Sequence, residues 1–307
     1  MFSDVMVGVD TRSGGQDAVA LARQLVAQDG KLTLAHVDAD WAAVFERNLT
    51  FGYDAAGHEA TTRLLEEQRR DAGADVGLLR VSAGSPGEGL HRLTEDHAAD
   101  LLVVGSSSRG RLGRAMLGDD TRESLNGASC AVAIAPRGYA GLDHDLSVIG
   151  VAYDGTPESN AALAAARELA ARSGAAIRAC EVVSLPTYAF SSAVAAAWTQ
   201  NIAVAVGEAQ ERLDALAGVE GRAVYGVTGE ELASFGRDVD VLVVGSRGYG
   251  PTRRLIHGST SNYLLRHARC VLLVLPRPAG PATEEATGEA QRAVDIETAL
   301  RAVAAAR

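Results

Sequence analysis

The sequence lacks the features of disulfide-rich, membrane-spanning and exported proteins. Only three cysteines occur, Cys130, Cys180 and Cys270, each in or beside an apolar run, which excludes a disulfide framework and predicts buried thiols. No uninterrupted apolar stretch approaches the roughly 18 residues that suggest a membrane span. The N-terminus opens on a strand-like pattern instead of a basic and apolar targeting segment, so we expect a cytoplasmic protein with no membrane partner.

An excess of basic residues is also missing. Lys and Arg number 29 against 39 Asp and Glu, a formal net charge of −10. A general nucleic-acid binder needs clustered Lys and Arg to displace counterions from phosphates. The sequence therefore predicts no nucleic-acid partner, and an anionic small ligand would have to be held by local backbone dipoles.

Familiar catalytic and metal-binding signatures are absent. The chain has no Gly-Lys-Ser/Thr phosphate loop and no Gly-x-Ser-x-Gly nucleophile elbow. Its seven histidines show no metal-ligand spacing, and His36, at the end of a predicted strand, is expected to be packed or capped. The sequence thus predicts no catalytic residue and no metal site.

What the chain does contain is an internal repeat. The segment Asp100–Ser106 matches Asp240–Ser246 at an offset of 140 residues, and the same offset relates Gly118 to Gly258 and Cys130 to Cys270. A length of 307 residues suits about two domains. We therefore expect two tandem domains, residues 1–137 and 146–277, with a polar linker at about 137–145 and a connector with a helix or tail at 278–307.

Within each repeat, short apolar runs alternate with helical patterns, which is typical of a doubly wound α/β fold with a five-stranded, mostly parallel sheet. The first helix of repeat one places Val19, Ala22 and Val26 on one stripe and is expected to end near Gly30, and that of repeat two ends before Gly174. Strands are predicted at 4–9, 32–37, 76–81, 101–105, 131–135, 147–152, 176–183, 221–226, 241–245 and 270–275.

A glycine and hydroxyl motif follows the fourth strand of repeat two. Gly245 and Gly248 precede a nine-residue spacer and then Gly258, Ser259 and Thr260. Glycines let several backbone N–H groups converge closely on a phosphate, and a helix opening at Ser259 would present its positive dipole end. Taken singly, a glycine after a strand is more often explained by a turn.

In this motif the chain resembles the universal stress protein family, whose ATP-binding members carry Gly, two residues, Gly, nine residues, and Gly followed by Ser or Thr. The resemblance covers both repeats and implies a Rossmann-like, adenine-nucleotide-binding fold. It also implies a nucleoside end formed by Asp154, Gly155, Thr156 and Val182. From its position alone, Asp154 could equally be a helix N-cap.

Repeat one departs from the family pattern. It retains Asp10, Val37, Gly105 and Gly118, but Ser108 and Asp119 stand where repeat two has Gly248 and Ser259. A carboxylate near a phosphate is repelled by roughly 1 to 4 kcal/mol at 4 Å, depending on the dielectric. The nucleotide site of repeat one is therefore expected to be degenerate unless Arg109 or Arg111 compensates.

Three functions were weighed on this basis. The preferred one is a regulatory, stress-response protein that binds ATP, with or without Mg²⁺. The alternatives are a slow ATP-hydrolysing or nucleotidyl-transferring enzyme and a nucleotide-free scaffold. We further expect the repeats to pair through their last strands as an intramolecular pseudo-dimer, and the sequence leaves open a homodimer of whole chains.

Overall fold

The structure is a computed structural model. It describes residues 2–10, 13–39, 55–73, 75–106, 124, 127–141, 145–184, 195–246 and 259–276. None of the helices in these ranges is both long enough and apolar enough to cross a membrane.

Repeat one contributes five strands and three helices to the described ranges. The strands are β1 (Phe2–Gly8), β2 (Val26–Ala39), β3 (Gly77–Ala83), β4 (Leu101–Gly105) and β5 (Ala131–Ala135). The helices are α1 (Ser13–Leu25), α2 (Ala55–Ala72) and α3 (Pro86–Asp96). A 3-10 turn at Tyr139–Gly141 follows β5.

Repeat two has the same plan with one further helix in the described ranges. Its strands are β6 (Val148–Ala152), β7 (Ala176–Val183), β8 (Val219–Tyr225), β9 (Val241–Gly245) and β10 (Val271–Leu275). Its helices are α4 (Pro157–Ser173), α5 (Ala195–Asp214), α6 (Thr228–Phe235) and α7 (Ser259–His267).

All ten strands form one sheet in the order β3-β2-β1-β4-β5-β10-β9-β6-β7-β8. Strands within each repeat are parallel, and the two halves meet where β5 and β10 pair antiparallel, with Ala133 opposite Leu273. The predicted doubly wound α/β fold is confirmed, and so is the pairing of the repeats through their last strands. In each half the strand order reverses between the first and fourth strands, where open α/β sheets bind ligands.

The core lies in two layers, one on each face of the sheet. Alternate residues of the strands point to opposite faces, so Val5 and Val7 join the layer beneath α1, α2, α4 and α5, whereas Met6 joins the layer beneath α3, α6 and α7. Because both faces are covered, the central strands are continuous apolar runs, and the five residues of β5 and of β10 are all buried. Burial on both faces explains why these strands could be predicted from the sequence.

The end of α1 was predicted wrongly. The helix ends at Leu25, and Val26, which was assigned to its apolar stripe, opens β2, with Gly30 inside the strand. Val26 pairs with Phe2, and the register then shifts before Asp4 pairs with Lys31. Pairing with β1 thus overrides the local helical pattern. By contrast, α4 ends as predicted, at Gly174 with φ 73° in the left-handed region.

The linker between the repeats is anchored to α1. Asp17, 4% exposed, accepts hydrogen bonds from the backbone N–H groups of Gly138 and Ala140, both at 2.9 Å. Tyr139, also 4% exposed, donates from its hydroxyl to Gln24 Oε1 at 2.6 Å. The start of the linker therefore belongs to the packed body of repeat one.

Candidate functional site

A cavity of about 310 Å³ lies at the carboxyl ends of β6, β7 and β9. The amino-terminal residues of α4, α6 and α7 close around it, so three helix N-termini open onto one space. The described residues that line it are Ala152, Tyr153, Asp154, Thr156, Glu158, Ser159, Cys180, Val182, Ser184, Thr228, Leu232, Val244, Gly245, Ser259, Thr260, Ser261 and Leu264. Its volume is at the lower end of the range typical of small-molecule sites.

Six of the residues named from the sequence lie in this wall. Asp154, Thr156, Val182, Gly245, Ser259 and Thr260 all line the cavity, although they come from four separate segments of the chain. Gly155 does not line it and lies in the turn beside it. Gly248 and Gly258, the other two glycines of the motif, lie outside the described residues.

The turn after β6 fixes the carboxylate of Asp154. Its Oδ1 accepts hydrogen bonds from the backbone N–H of Thr156 at 3.2 Å and from the Thr156 hydroxyl at 2.5 Å. The residue that caps α4 is Thr156, whose Oγ1 accepts from the backbone N–H of Ser159 at 3.3 Å. The alternative reading of Asp154 as the N-cap is therefore wrong, because Asp154 instead holds the capping threonine.

Gly155 provides the sharp bend of the same turn. Its φ of 77° lies in the left-handed region, where a glycine carries no steric cost. Its carbonyl accepts a hydrogen bond from Asn160 Nδ2 at 3.2 Å, and Asn160 Oδ1 in turn accepts from the Tyr153 hydroxyl at 3.0 Å. Side chains on both sides of the bend thus support the turn that carries Asp154.

Gly245 has a packing role that the motif did not reveal. A Cβ at this position would lie 2.5 Å from the backbone oxygen of Glu158 and 2.7 Å from its carbonyl carbon. The first turn of α4 therefore rests directly on the end of β9. In repeat one, a Cβ on Gly105 would meet the backbone of Gly14 in the same way. The glycine that ends the fourth strand of each repeat is therefore required for the docking of the first helix as well as for the shape of the cavity.

The inner wall of the cavity is apolar. Val182, Leu232, Val244 and Leu264 line it together with Cys180, which is 3% exposed. Burial raises the pKa of the Cys180 thiol to about 11, so at neutral pH this side chain is an uncharged, apolar surface. Cys130, Cys180 and Cys270 are all free; Cys130 and Cys180 are buried as predicted, whereas Cys270 is only partly buried. Such a wall suits the flat, weakly polar face of a base.

Several lining residues were not predicted from the sequence. Tyr153, Ser184, Thr228 and Ser261 supply hydroxyl groups, and Glu158 adds a second carboxylate beside that of Asp154. Glu158 follows the cap residue of α4 by two positions, and that place at a helix start is the signal that could have found it. Within the described residues, no group of three or more His, Cys, Asp or Glu is arranged to hold a metal ion.

The equivalent cavity of repeat one is smaller, about 120 Å³. Asp10, Val37 and Gly105 line it, whereas Gly118, Ser108 and Asp119 lie outside the described residues. Much of its wall is glycine or aliphatic, including Gly8, Gly14, Ala35, Pro86 and Leu90. Where repeat two presents Glu158 and Thr228, repeat one presents Gly14 and Pro86.

His36 also lies in the wall of this smaller cavity and is packed as expected. Its Nδ1–H donates to the backbone oxygen of Val9 at 2.9 Å, and its Nε2 lies 3.6 Å from Asp38 Oδ1. Asp38 is paired in turn with Arg80 at 2.7 Å. The imidazole is thus part of the scaffold behind Asp10.

Comparison with known proteins agrees with this architecture. The model of the universal stress protein family matches residues 1–136 and 146–276. A universal stress protein of Mycobacterium tuberculosis is 32% identical over 183 residues, which are 57% of this chain and 61% of that protein, so the chain spans about three fifths of that relative's length. A second one from M. tuberculosis is 27% identical over 260 residues, 80% of this chain and 85% of that protein.

Among solved structures, the chain is similar to a universal stress protein from Archaeoglobus fulgidus. The two superpose with a TM-score of 0.62 at 15% sequence identity, over 89% of this chain and 98% of the other. At that identity the likeness concerns the fold alone, and it extends over both repeats.

Proposed function

The chain belongs to the universal stress protein family, and from that premise we propose that it is a regulatory protein that binds an adenine nucleotide, ATP, in the cavity of repeat two. Binding is proposed to alter the stability or the partner surface of the double domain. In this proposal residues 1–137 and 146–277 are the two domains, and the second carries the functional site.

One observation carries the proposal. A single cavity is lined by residues that the sequence assigned to opposite ends of a nucleotide. Asp154 and Val182 were assigned to the nucleoside, and Gly245, Ser259 and Thr260 to the phosphates. The space lies at the reversal of strand order, where α/β sheets bind such ligands. A chance set of motif residues has no reason to converge in this way.

The chemistry of the cavity suits the parts of the ligand. Its apolar wall, with Val182 and Leu232, would receive the base, and the carboxylate of Asp154 would accept hydrogen bonds from ribose hydroxyls. The start of α7 at Ser259 offers unpaired N–H groups, a positive dipole end and two hydroxyls to the phosphates. Both charged residues among the described lining, Asp154 and Glu158, are acidic, so we expect Mg²⁺ to favour the bound triphosphate.

Repeat two is proposed to bind nucleotide at least about tenfold more tightly than repeat one, a difference of only about 1.4 kcal/mol. Its cavity is larger, about 310 against 120 Å³. In addition, Asp119 replaces Ser259 in repeat one and adds a negative charge that repels phosphate.

The test is titration calorimetry with MgATP, together with mass spectrometry of any small molecule that co-purifies with the native protein. We expect one tight site per chain. Gly258→Asp should remove it, whereas the matched Gly118→Asp in repeat one should leave it intact. Two equal sites would overturn the ranking of the repeats, and failure of every adenine nucleotide to bind would overturn the proposed function.

A measurement of ATP hydrolysis by the same protein distinguishes a binding module from an enzyme. As a binding module it should hydrolyse ATP far more slowly than the roughly 1 to 1,000 turnovers per second of ordinary enzymes. Robust Mg²⁺-dependent hydrolysis that disappears in Gly258→Asp would instead favour the enzyme.

A further inference from the structure

An ion pair with one buried partner, Glu181, lies beside the turn that carries Asp154. Glu181, in β7 between the lining residues Cys180 and Val182, is 5% exposed. Arg212 of α5 donates to it twice, from Nη2 to Oε1 at 2.5 Å and from Nε to Oε2 at 3.4 Å. The hydrogen bonds to Glu181 raise the pKa of Arg212 above its ordinary value, so the guanidinium stays charged at any physiological pH.

The stem of Arg212 passes near the turn. Its Cδ lies 3.8 Å from the position that a Cβ on Gly155 would take. Gly155 is held on its other side by Asn160, which also binds the hydroxyl of Tyr153. The bend between Asp154 and Thr156 is therefore tied to α4 by Asn160, and the stem of Arg212 lies near it.

Such a pair is not explained by stability alone. Burial strips water from the Glu181 carboxylate, a cost that its attraction to Arg212 does little more than offset, and well-packed apolar residues often replace buried ion pairs without loss. Glu181 is held in the interior and Arg212 is half exposed, with 47% of its side chain accessible. The two hydrogen bonds to Glu181 fix the direction of the Arg212 side chain, whose stem passes near Gly155, a geometric result that apolar side chains would not give.

Repeat one supports its own acidic residue at the same positions with different chemistry. His36 precedes Val37 as Glu181 precedes Val182, and both Asp10 to Asp154 and Gln68 to Arg212 are separated by 144 residues. There His36 Nδ1 donates to the Val9 oxygen at 2.9 Å and Gln68 Nε2 donates to the Asp10 oxygen at 3.0 Å. Two uncharged donors thus hold the backbone next to Asp10.

We propose that Glu181 and Arg212 are positioning residues for Asp154, and that through it they make the cavity of repeat two selective for ribonucleotides over deoxyribonucleotides. The inference rests on the proposed function. A carboxylate held within hydrogen-bond reach of a bound ribose would distinguish a hydroxyl from a hydrogen. If the turn loosens, this contact is lost, while the phosphate contacts of α7 remain.

The experiment compares the affinities of ATP and 2′- and 3′-deoxy-ATP by calorimetry. In the unmodified chain we expect ATP to bind about tenfold more tightly than the weaker deoxy analogue, as the loss of one hydrogen bond to a charged group predicts. Glu181→Gln should reduce this ratio below about threefold, because a neutral amide no longer fixes Arg212. Most of the change should come from weaker binding of ATP. Arg212→Lys, which keeps the charge without the two-pronged contact, should also lower the ratio.

Two further variants separate positioning from general damage. Glu220→Gln removes a surface ion pair with Arg178, at 2.9 Å on the same half of the sheet, and should leave the ratio unchanged. The double variant Glu181→His with Arg212→Gln carries the residue types of His36 and Gln68. It should restore the ratio of ATP to deoxy-ATP affinity, since in repeat one these side chains donate to the backbone oxygens of Val9 and Asp10.

The outcomes are distinct. If neither ATP nor its analogues bind the unmodified chain, the proposed function fails. If ATP binds and Glu181→Gln keeps the original ratio, only the positioning role fails. Circular dichroism shows whether Glu181→Gln folds, and if it does not, the double variant is the test. A folded double variant with no preference for ATP over deoxy-ATP overturns the inference. A folded double variant with the original preference supports it.

Discussion

At the scale of single residues, glycines that look alike in the sequence have different physical roles. Gly155 is needed for its φ of 77°, whereas Gly245 is needed because α4 leaves no room for a Cβ. Gly207, exposed in α5, has nothing within 4 Å of such an atom. The three positions therefore respond differently to a methyl group.

Gly245→Ala is expected to lower the free energy of unfolding by about 1 to 3 kcal/mol, because the new methyl group meets the backbone of Glu158 and forces α4 away from β9. Gly207→Ala is the matched control and should raise stability by roughly 0.5 to 1 kcal/mol, the ordinary preference of a helix for alanine. Urea unfolding of both variants measures the difference. Equal effects at the two sites would contradict the docking role of Gly245.

Tyr139 gives a pH-dependent contribution. Burial, with the nearby charge of Asp240 as a smaller cause, raises its pKa to about 12 from 10.0. Since the folded pKa lies above the unfolded one, the stabilisation is complete below about pH 10 and is lost as the pH rises toward 12. Two units correspond to at most about 2 to 3 kcal/mol.

The measurement is urea unfolding of the unmodified chain and of Tyr139→Phe between pH 9 and 11. At pH 9 the variant should be less stable by about 1 kcal/mol, the net value of the hydrogen bond to Gln24. The difference should shrink as the pH rises, because phenylalanine does not ionise in the unfolded state. A difference that stays constant over this range would mean that the phenol is not protected by burial.

At the scale of elements, α3 and α4 start in similar ways, but only the cap of α4 lines the cavity proposed to bind ATP. Ser85 caps α3 by accepting from the backbone N–H of Glu88 at 3.2 Å, as Thr156 caps α4. Both helices then begin with a proline. The two caps form a matched pair, one in each repeat.

Thr156→Ala and Ser85→Ala should each lower the free energy of unfolding by about 1 kcal/mol. Only Thr156→Ala should also weaken ATP binding, several-fold, because it removes the hydroxyl that donates to the carboxylate of Asp154. Thermal unfolding and calorimetry measure the two effects. If Ser85→Ala weakened the tight site as much, the assignment of that site to repeat two would be wrong.

The elements also show how far the sequence alone could reach. Central strands such as β5 and β10 were predicted at or within one residue of their ends, since burial on both faces makes them unbroken apolar runs. The start of β2 was missed because Val26 joins the sheet through Phe2, a partner distant in the chain. Local periodicity does not contain that information.

The same distinction holds for the site. Gly245, Ser259 and Thr260, which line the cavity, could be selected from the sequence because they belong to a motif of fixed spacing after a strand. Glu181 and Arg212 could not, since a contact between β7 and α5 arises only when the two elements pack. Thr228 also could not be predicted as a lining residue. It begins a helix whose cap residue, Val227, makes no side-chain hydrogen bond, so the sequence carries no capping signal there.

At the scale of the whole molecule, the antiparallel pairing of β5 with β10 joins the repeats into one sheet. Separated, each half would expose an apolar strand edge, which favours association. The 3-10 turn at Tyr139–Gly141 packs on α1, so the first half should be cut after that turn, at residue 141.

Fragments 1–141 and 146–277, expressed separately, are therefore expected to form a one-to-one complex when mixed. Analytical ultracentrifugation of each fragment and of the mixture tests this. Two fragments that both remain monomeric and do not interact would contradict the role assigned to β5 and β10.

The shared central pairing has an evolutionary consequence. In a symmetric assembly of two identical chains, every substitution appears twice, once on each side of the two-fold axis. Here β5 and β10 are encoded separately, so a substitution falls on one half only. Asp119 could arise in repeat one while Ser259 persisted in repeat two. The duplicated chain thereby lets selection act on one half while the other keeps its inherited chemistry.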